Sequence, residues 1–200
     1  MMEFSPFPKV PRYSREIVVT EKIDGTNAGI QIVQHGYSDS PPNGYTALVV
    51  EKGLYYALYA QSRKRIITPA SDNYGFAAWV AENAPELVRL DHGVHFGEWW
   101  GHGIQRGYGM PQGVRKFSLF NTSRWSDNAL RPACCDVVPV LYQGDHLQEW
   151  INGSMTILQA QGSRAAPGFM NPEGIMIYHT ASGQLFKKTY EGDERGKEAA

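Results

Sequence analysis

The run "VVTEKIDGTNAGIQI", Val18 to Ile32, sets two β-branched, apolar stretches on either side of a short polar turn, with Lys22 at the turn's edge. Runs of this kind recur along the chain. Ile17–Thr20, Ala28–Val33, Ala47–Glu51, "GVHFGEWW", "RKFSLFN", "EGIMIYH" and "QLFKKTY" are all short and are separated by Gly, Pro, Asn or Asp, which is the signature of strands. The last two read as a pair around "TASGQ". Only two segments carry helical spacing. "SDNYGFAAWVAENAPEL" sets Phe76, Trp79 and Val80 on one face, with Ser71 or Asp72 as its cap and Pro85 near its end. "DHLQEWINGSMTILQAQGS" repeats Leu147, Trp150, Ile151, Met155 and Leu158, with Gly162 as a C-cap. Strands outnumber helices and do not alternate with them. That pattern predicts an α+β fold with mainly antiparallel sheets and excludes a doubly wound one. His35–Tyr45 reads as a loop at a hairpin tip. With no internal repeat, low-complexity block or linker, residues 1–200 read as a single domain.

Composition narrows the classes of function. With 42% hydrophobic and 20% charged residues, the chain has the balance of a folded globular protein. A net charge of −1 means that any nucleic-acid surface must be local. No apolar run approaches the roughly 18 residues needed to cross a membrane, and the N-terminal "MMEFSPFPKVPRY" lacks a signal-peptide core. Cys134 and Cys135 are adjacent, a spacing that suits neither a relaxed disulfide nor a zinc set; they read as buried thiols. His95 and His102 also fit no usual zinc spacing. A cytoplasmic setting, in a bacterial or virus-infected cell, is the expectation.

A lysine, two strand-borne acids, an aromatic and a late lysine pair follow one another over most of the chain. "KIDG" puts Lys22 at the turn, "FGEWWG" puts Glu98 between apolar neighbours, "KFSLFN" places Phe120, "PEGIMIY" starts a strand with Glu173, and "LFKKTY" pairs Lys187 with Lys188. In that order and spelling they resemble the covalent nucleotidyltransferase superfamily of polynucleotide ligases and capping enzymes, most nearly the T4-type RNA ligase 2 branch. The resemblance runs from about Ile17 to Tyr190. Lys22-Ile23-Asp24-Gly25 is similar to motif I, extended by Glu21 and Asn27 as "EKIxGTN". "SRKR" sits where motif Ia supplies an arginine, here Arg63. "FGEWWGHGIQRGYG" resembles motif III with its following glutamine, Gln105. "SLFN" resembles motif IIIa, "PEGIMIY" motif IV and "LFKKTY" motif V. The branch has histidine at the place of Asp24, and Lys-x-Lys in motif V. Adjacent strand residues point to opposite faces, so Lys187 is expected inward.

The resemblance implies an adenylation domain of the ligase and capping-enzyme fold, with a nucleotide pocket between antiparallel sheets and flanking helices. It implies an ATP-dependent RNA ligase acting in RNA repair, with Mg²⁺ as the metal and Mn²⁺ able to replace it. Lys22 would form a covalent lysyl-AMP, AMP would pass to an RNA 5′-phosphate, and a 3′-hydroxyl would seal the strand. An amine attacks only when neutral, and a lysine of unperturbed pKa near 10.4 is neutral about once in 2,500 at pH 7, so a nearby cation or burial must help. Lys22, Lys187 and Lys188 would be catalytic. Glu21, Asp24, Gly25, Asn27, Arg63, Glu98, Phe120 and Lys187 would hold the nucleotide, Phe120 by stacking and Glu98 through ribose hydroxyls. Glu173 would hold the metal. Gln105, Arg106 and Arg65 would meet RNA ends, and the loop Trp99–Tyr108 would suit such a surface.

Each residue alone has a plainer reading: Phe120 as core, Glu98 and Glu173 as exposed strand acids, 63–65 as a solvated turn. Only "EGDERGKEAA" follows Tyr190, so neither an OB domain nor a separate C-terminal domain is expected, and a protein partner could supply end recognition. The favoured substrate is RNA with 3′-OH and 5′-phosphate ends, held as a nicked duplex. A DNA-ligase-like or GTP-using enzyme, and a non-catalytic RNA-end-binding module, remain as alternatives. The intact Lys22, Glu98, Glu173 and Lys187 argue against the last.

Overall fold

The computed structural model describes residues 3–36 and 43–193; most of the loop expected over His35–Tyr45, and the end of the C-terminal tail, lie outside them. Eleven strands form two sheets among these residues. They are β1 (Glu16–Lys22), β2 (Thr26–Gly36), β3 (Ala47–Glu51), β4 (Leu54–Ser62), β5 (Ile66–Ile67), β6 (Gly93–Gly101), β7 (Arg115–Leu119), β8 (Cys135–Val137), β9 (Val140–Asp145), β10 (Gly174–His179) and β11 (Gln184–Thr189). The smaller sheet has the order β11-β10-β1-β9. The larger has β3-β4-β2-β6-β7-β8, with β5 against β4. Every pairing is antiparallel except β7 with β8, as expected for α+β.

Three helices accompany the sheets: α1 (Phe76–Leu87), the short α2 (Thr122–Trp125) and α3 (Gln148–Gln161). The helix expected from Ser71 starts only at Phe76, after Gly75 in a left-handed conformation. Asp72 still serves the first turn from outside it, accepting from the amides of Ala77 at 2.8 Å and Ala78 at 3.0 Å. Gly162 caps α3 at φ 78°, a value that glycine adopts without steric cost.

Each sheet buries one face beneath one helix. In the larger sheet, Ala28, Ile30, Ile32, Leu58, Ala60 and Phe117 pack with Phe76, Val80 and Leu87 of α1. Phe76 lies 5.1 Å from Phe117 and 5.4 Å from Trp99. Side chains of this size contribute about 1.5–3 kcal/mol each when fully buried, so this cluster anchors the fold. In the smaller sheet, Ile17, Val19 and Ile175 pack with Ile151 and Leu158 of α3. A third cluster of Ile23, Trp100, Tyr108, Val138 and Ala166 fills the junction where β1 leaves one sheet and β2 enters the other. Among the described residues neither α1 nor α3 covers the opposite face of its sheet.

β4, β5, β8 and β9 were not expected from the sequence. β4 lies between β2 and β3 and is buried over Ala57–Ala60, so "LYYALYAQS" lacks the alternation that betrays a half-buried strand. Cys135 is buried, as expected, and Cys134 partly so, their sulfurs 4.0 Å apart.

Candidate active site

Lys22 is the last residue of β1, and only Ile23, Asp24 and Gly25 separate it from Thr26 at the start of β2. The turn therefore joins the two sheets. Gly25 is the residue that permits this. A Cβ there would lie 2.5 Å from the carbonyl oxygen of Trp99 and 2.8 Å from Cβ of Trp100. Its amide donates to Oε1 of Glu98 at 3.1 Å. The Asp24 amide donates to the hydroxyl of Tyr108 at 2.8 Å. Arg106 Nε donates to Oδ2 of Asp24 at 3.0 Å, and another of its nitrogens donates to the Asn171 carbonyl. The turn is thus held to β6 and to the loop that follows it.

Register decides which side chains share the groove, because directly paired residues lie on one face of a sheet. In the smaller sheet Lys22 pairs with Gly174, Thr20 with Met176, and Met176 with Lys187. Lys22, Met176 and Lys187 therefore share a face. Glu21 pairs with Ile175 and Ile175 with Lys188, which puts Glu21 and Lys188 on the face covered by α3. Lys188 Nζ donates to Oδ1 of Asn152 on α3 at 3.1 Å. Glu21 is 1% exposed and accepts from Ser163 Oγ at 2.6 Å and from the amides of Arg164 and Ala165 at 2.7 and 3.0 Å. These two placements set Glu21 apart from the nucleotide-binding position expected of it and Lys188 apart from the catalytic group, while Lys187 takes the side of Lys22 that alternation predicts. Alternation along the strands turns both away from Lys22, and Glu21 instead anchors the loop after α3.

On the helix-free face of the larger sheet, Asn27 pairs with Glu98 and Glu98 with Ser118. Gly29 pairs with Phe96, and the Phe120 amide donates to the Phe96 carbonyl at 3.0 Å. Asn27, Glu98, Phe96 and Phe120 thus stand on one face. The two faces meet at Lys22, whose Nζ forms an ion pair with Oε2 of Glu173 and lies close enough to Glu98 to act on its charge. The structure brings Lys22, Glu98 and Glu173 within reach of one another, with Asp24, Gly25 and Asn27 next to them in the turn and at the start of β2, and leaves Phe120 and Lys187 on the same two faces.

Arg63, Arg65 and Gln105 are exposed on the loops around this groove. Arg63 follows Ser62, which pairs with Ala28, so it lies at the register position next to Asn27. Arg65 donates to the carbonyls of Ile66 and Ser71. Arg106, expected at RNA ends, is engaged by Asp24. Tyr108 had not been singled out for this role, since an aromatic in a Gly-rich loop has no periodicity to mark it. It is 2% exposed, packs 5.2 Å from Trp100 and 4.6 Å from Phe169, and has φ 52°. Gln105 also has positive φ, at 45°. Left-handed non-glycine residues are costly and cluster where function needs a fixed geometry.

Burial pushes the Glu98 carboxyl up to about 7; Lys22 and the Gly25 amide pull it down, while Glu173 and Asp24 add to the rise. The folded protein thus holds this proton more tightly than the unfolded chain, whose ordinary value is 4.5. By linkage, stability is lost as pH rises from about 4.5 to about 7 and stays lost above it. Glu98→Gln keeps an acceptor for Gly25 and cannot ionise. It is expected to match the wild type near pH 4 and to exceed it by up to roughly 3 kcal/mol at pH 8. Thermal melts at the two pH values measure this; a difference independent of pH would contradict it.

Residues 15–189 match the RNA ligase family, and the chain belongs to that family. Its fold is similar to solved structures of two lysine-to-alanine mutants of Naegleria gruberi RNA ligase, each with ATP and Mn. Both are 15% identical to this chain, with TM-scores of 0.51 and 0.52; they cover 87% and 91% of it, and 48% and 52% of their own lengths. The chain thus spans about half the length of those RNA ligases. No curated protein matches its sequence.

Proposed function

We propose that residues 15–189 form the nucleotidyltransferase domain of an ATP-dependent RNA ligase, of the RNA ligase 2-like branch, in which Lys22 is the nucleophile. The observation that carries this reading is the meeting of Lys22, Glu98 and Glu173 at the junction of two sheets, with Phe120 and Lys187 on the same two faces. Membership of the RNA ligase family supports it, and the ATP and Mn held by the Naegleria structures support ATP with a divalent ion.

In the first step Nζ of Lys22 attacks the α-phosphorus of ATP. The bond to the β-phosphate oxygen breaks, pyrophosphate leaves and a phosphoramidate forms. In the second, an oxygen of an RNA 5′-phosphate attacks the same phosphorus; the N–P bond breaks and AMP moves to the RNA. In the third, a 3′-hydroxyl attacks the 5′-phosphorus and AMP leaves. Lys22 cannot begin while it donates to Glu173 as an ammonium, because it then has no lone pair. Loss of a proton from Nζ, and not loss of the contact itself, is therefore the condition of catalysis, since a neutral amine still has N–H groups to donate. Among the described residues no three His, Cys, Asp or Glu side chains form a closed metal cage. Glu173, with Glu98 nearby, offers the hard oxygens that suit Mg²⁺ or Mn²⁺, which keep several waters. Such an ion, when bound, supplies positive charge beside the phosphates. Lys187 adds charge on the same face, where charge placed in advance stabilises the transition state. Glu98 would receive the ribose, and Phe120 would give the adenine a stacking surface.

RNA affinity rests on phosphate contacts and falls steeply with salt. The chain has few basic clusters for it: Arg63–Arg65, Arg115–Lys116 and Lys187–Lys188. Arg115 donates to the carbonyls of His102 and Tyr74, and Lys116 to Asp136 at 3.0 Å. The expected result is efficient self-adenylylation from ATP, and not from GTP or NAD⁺, with weak sealing of nicked duplex RNA. A nick is preferred to free ends because the partner strand aligns them. In a salt titration of one preparation, sealing falls sharply while self-labelling hardly changes. Labelling from GTP alone would point to a capping-type enzyme, and no labelling from any nucleotide to an RNA-end-binding module.

A further inference from the structure

Residues 3–15 play no part in the groove above, yet three of their cations come together. Lys9, Arg12 and Arg15 line one cavity, walled on its other side by Ala181 and Ser182 of the turn between β10 and β11. Lys9 and Arg12 are three residues apart, one turn of the polyproline II helix that Pro6, Pro8 and Pro11 favour. The chain then bends at residues 13–15, and Arg15 comes back to the same cavity. Two rings fix the bend: His179 Nε2 donates to the Tyr13 carbonyl at 2.8 Å, and His146 Nδ1 donates to it at 3.2 Å. No acid lines the cavity. Among the described residues none of the three cationic side chains has a hydrogen-bond or ion-pair partner. Like charges held around one hollow repel each other, and an anion between them turns that cost into attraction.

We propose that this cavity is a phosphate site, which holds a backbone phosphate of the RNA at a distance from the reacting end. The choice of RNA rests on the RNA ligase reading above. Convergent cations suit the several oxygens of a phosphate, and an arginine fork binds two of them at once. Phe4, Phe7 and Tyr13 of the same segment are 89%, 85% and 73% exposed, and aromatics interleaved with cations are what an RNA strand stacks on. Ile17, two residues after Arg15, pairs with His179, and Lys22 pairs with Gly174. The cavity therefore lies about five strand steps from the nucleophile, roughly 17 Å. A strand whose end is at Lys22 covers that distance within several nucleotides. The cavity thus grips RNA beyond the break, where the nucleotide pocket offers no contact. Its cations do not stand out in the sequence as a basic cluster, because two other residues separate each from the next.

The test measures equilibrium binding of the full chain to a nicked RNA duplex across a salt series without ATP, beside self-labelling with ATP. The three residues are exposed, so the triple variant Lys9→Gln, Arg12→Gln, Arg15→Gln keeps the core, and thermal melts check this. Its affinity for RNA is expected to fall at least about tenfold at low salt, since hydrogen bonds between charged groups carry that much. The slope of log affinity against log salt flattens by about one, as for one lost phosphate contact. Arg12→Lys with Arg15→Lys keeps the charge and the slope. Self-labelling stays within about twofold in both variants, because the reacting groups are untouched. An RNA affinity and salt slope unchanged in the triple variant would overturn the proposal alone, and would make the segment a protein-docking arm instead. RNA bound through the cavity by a wild-type protein that takes no label from any nucleotide would overturn the nucleotidyltransferase reading and leave this proposal standing.

Discussion

Lys22→Ala is expected to lose self-adenylylation by at least about a thousandfold, because it deletes the amine proposed to take the α-phosphate. Lys22→Arg should not rescue it. A guanidinium stays protonated at any usable pH and has no lone pair to offer, even though it could keep an ion pair with Glu173. The alanine variant should fold, since the Lys22 side chain is partly exposed and its backbone pairing with Gly174 remains. ATP binding should survive in both variants, which separates loss of chemistry from loss of the pocket. Gel labelling together with equilibrium ATP binding measures the two effects. Labelling of either variant at the wild-type level would show that the nucleophile lies elsewhere.

Gly25→Ala is the second large effect, and it comes from packing. The added methyl meets backbone and Cβ atoms at 2.5 and 2.8 Å, none of which can swing aside as a flexible side chain would. Overpacking of this kind costs about 1–3 kcal/mol. The strain falls on the turn that follows Lys22, and the hydrogen bond from the Gly25 amide to Glu98 is displaced with it. A shift of about 1 Å in a reacting group lowers rate on the order of a hundredfold. The variant should therefore melt earlier and label on the order of a hundred times more slowly, with a smaller change in ATP requirement. A variant that melts earlier and labels at the normal rate would mean that the turn does not position Lys22.

How much of this was legible in the sequence follows from the range over which each feature is fixed. Lys22, Glu98 and Glu173 were visible because each sits at or next to a strand in a short stretch that resembles a motif of the covalent nucleotidyltransferases. The α+β class followed from the strand runs. The face of each residue was less accessible. Lys187 could be separated from Lys188 by alternation, but Glu21 lies next to Lys22 in the same motif, and its destination depends on Ser163 and Ala165, some 140 residues away. The same holds for Arg106, whose charge suggested RNA until the structure put it 3.0 Å from Asp24. β4 escaped because burial on both faces erases alternation. Phe96 was hidden for the opposite reason: in "GVHFGEWW" it looks like one more apolar strand residue, and only the register shows that it faces the groove and not the core.

The central claim is that Lys22 becomes covalently bonded to AMP. The most direct measurement is mass spectrometry of peptides from protein incubated with ATP and Mg²⁺, under conditions that preserve an acid-labile N–P bond. The expected result is a single peptide, containing Lys22, heavier by one AMP moiety, with the modification lost on adding pyrophosphate as the first step reverses. AMP attached to another residue, or protein that remains unmodified while ATP is hydrolysed, would contradict it.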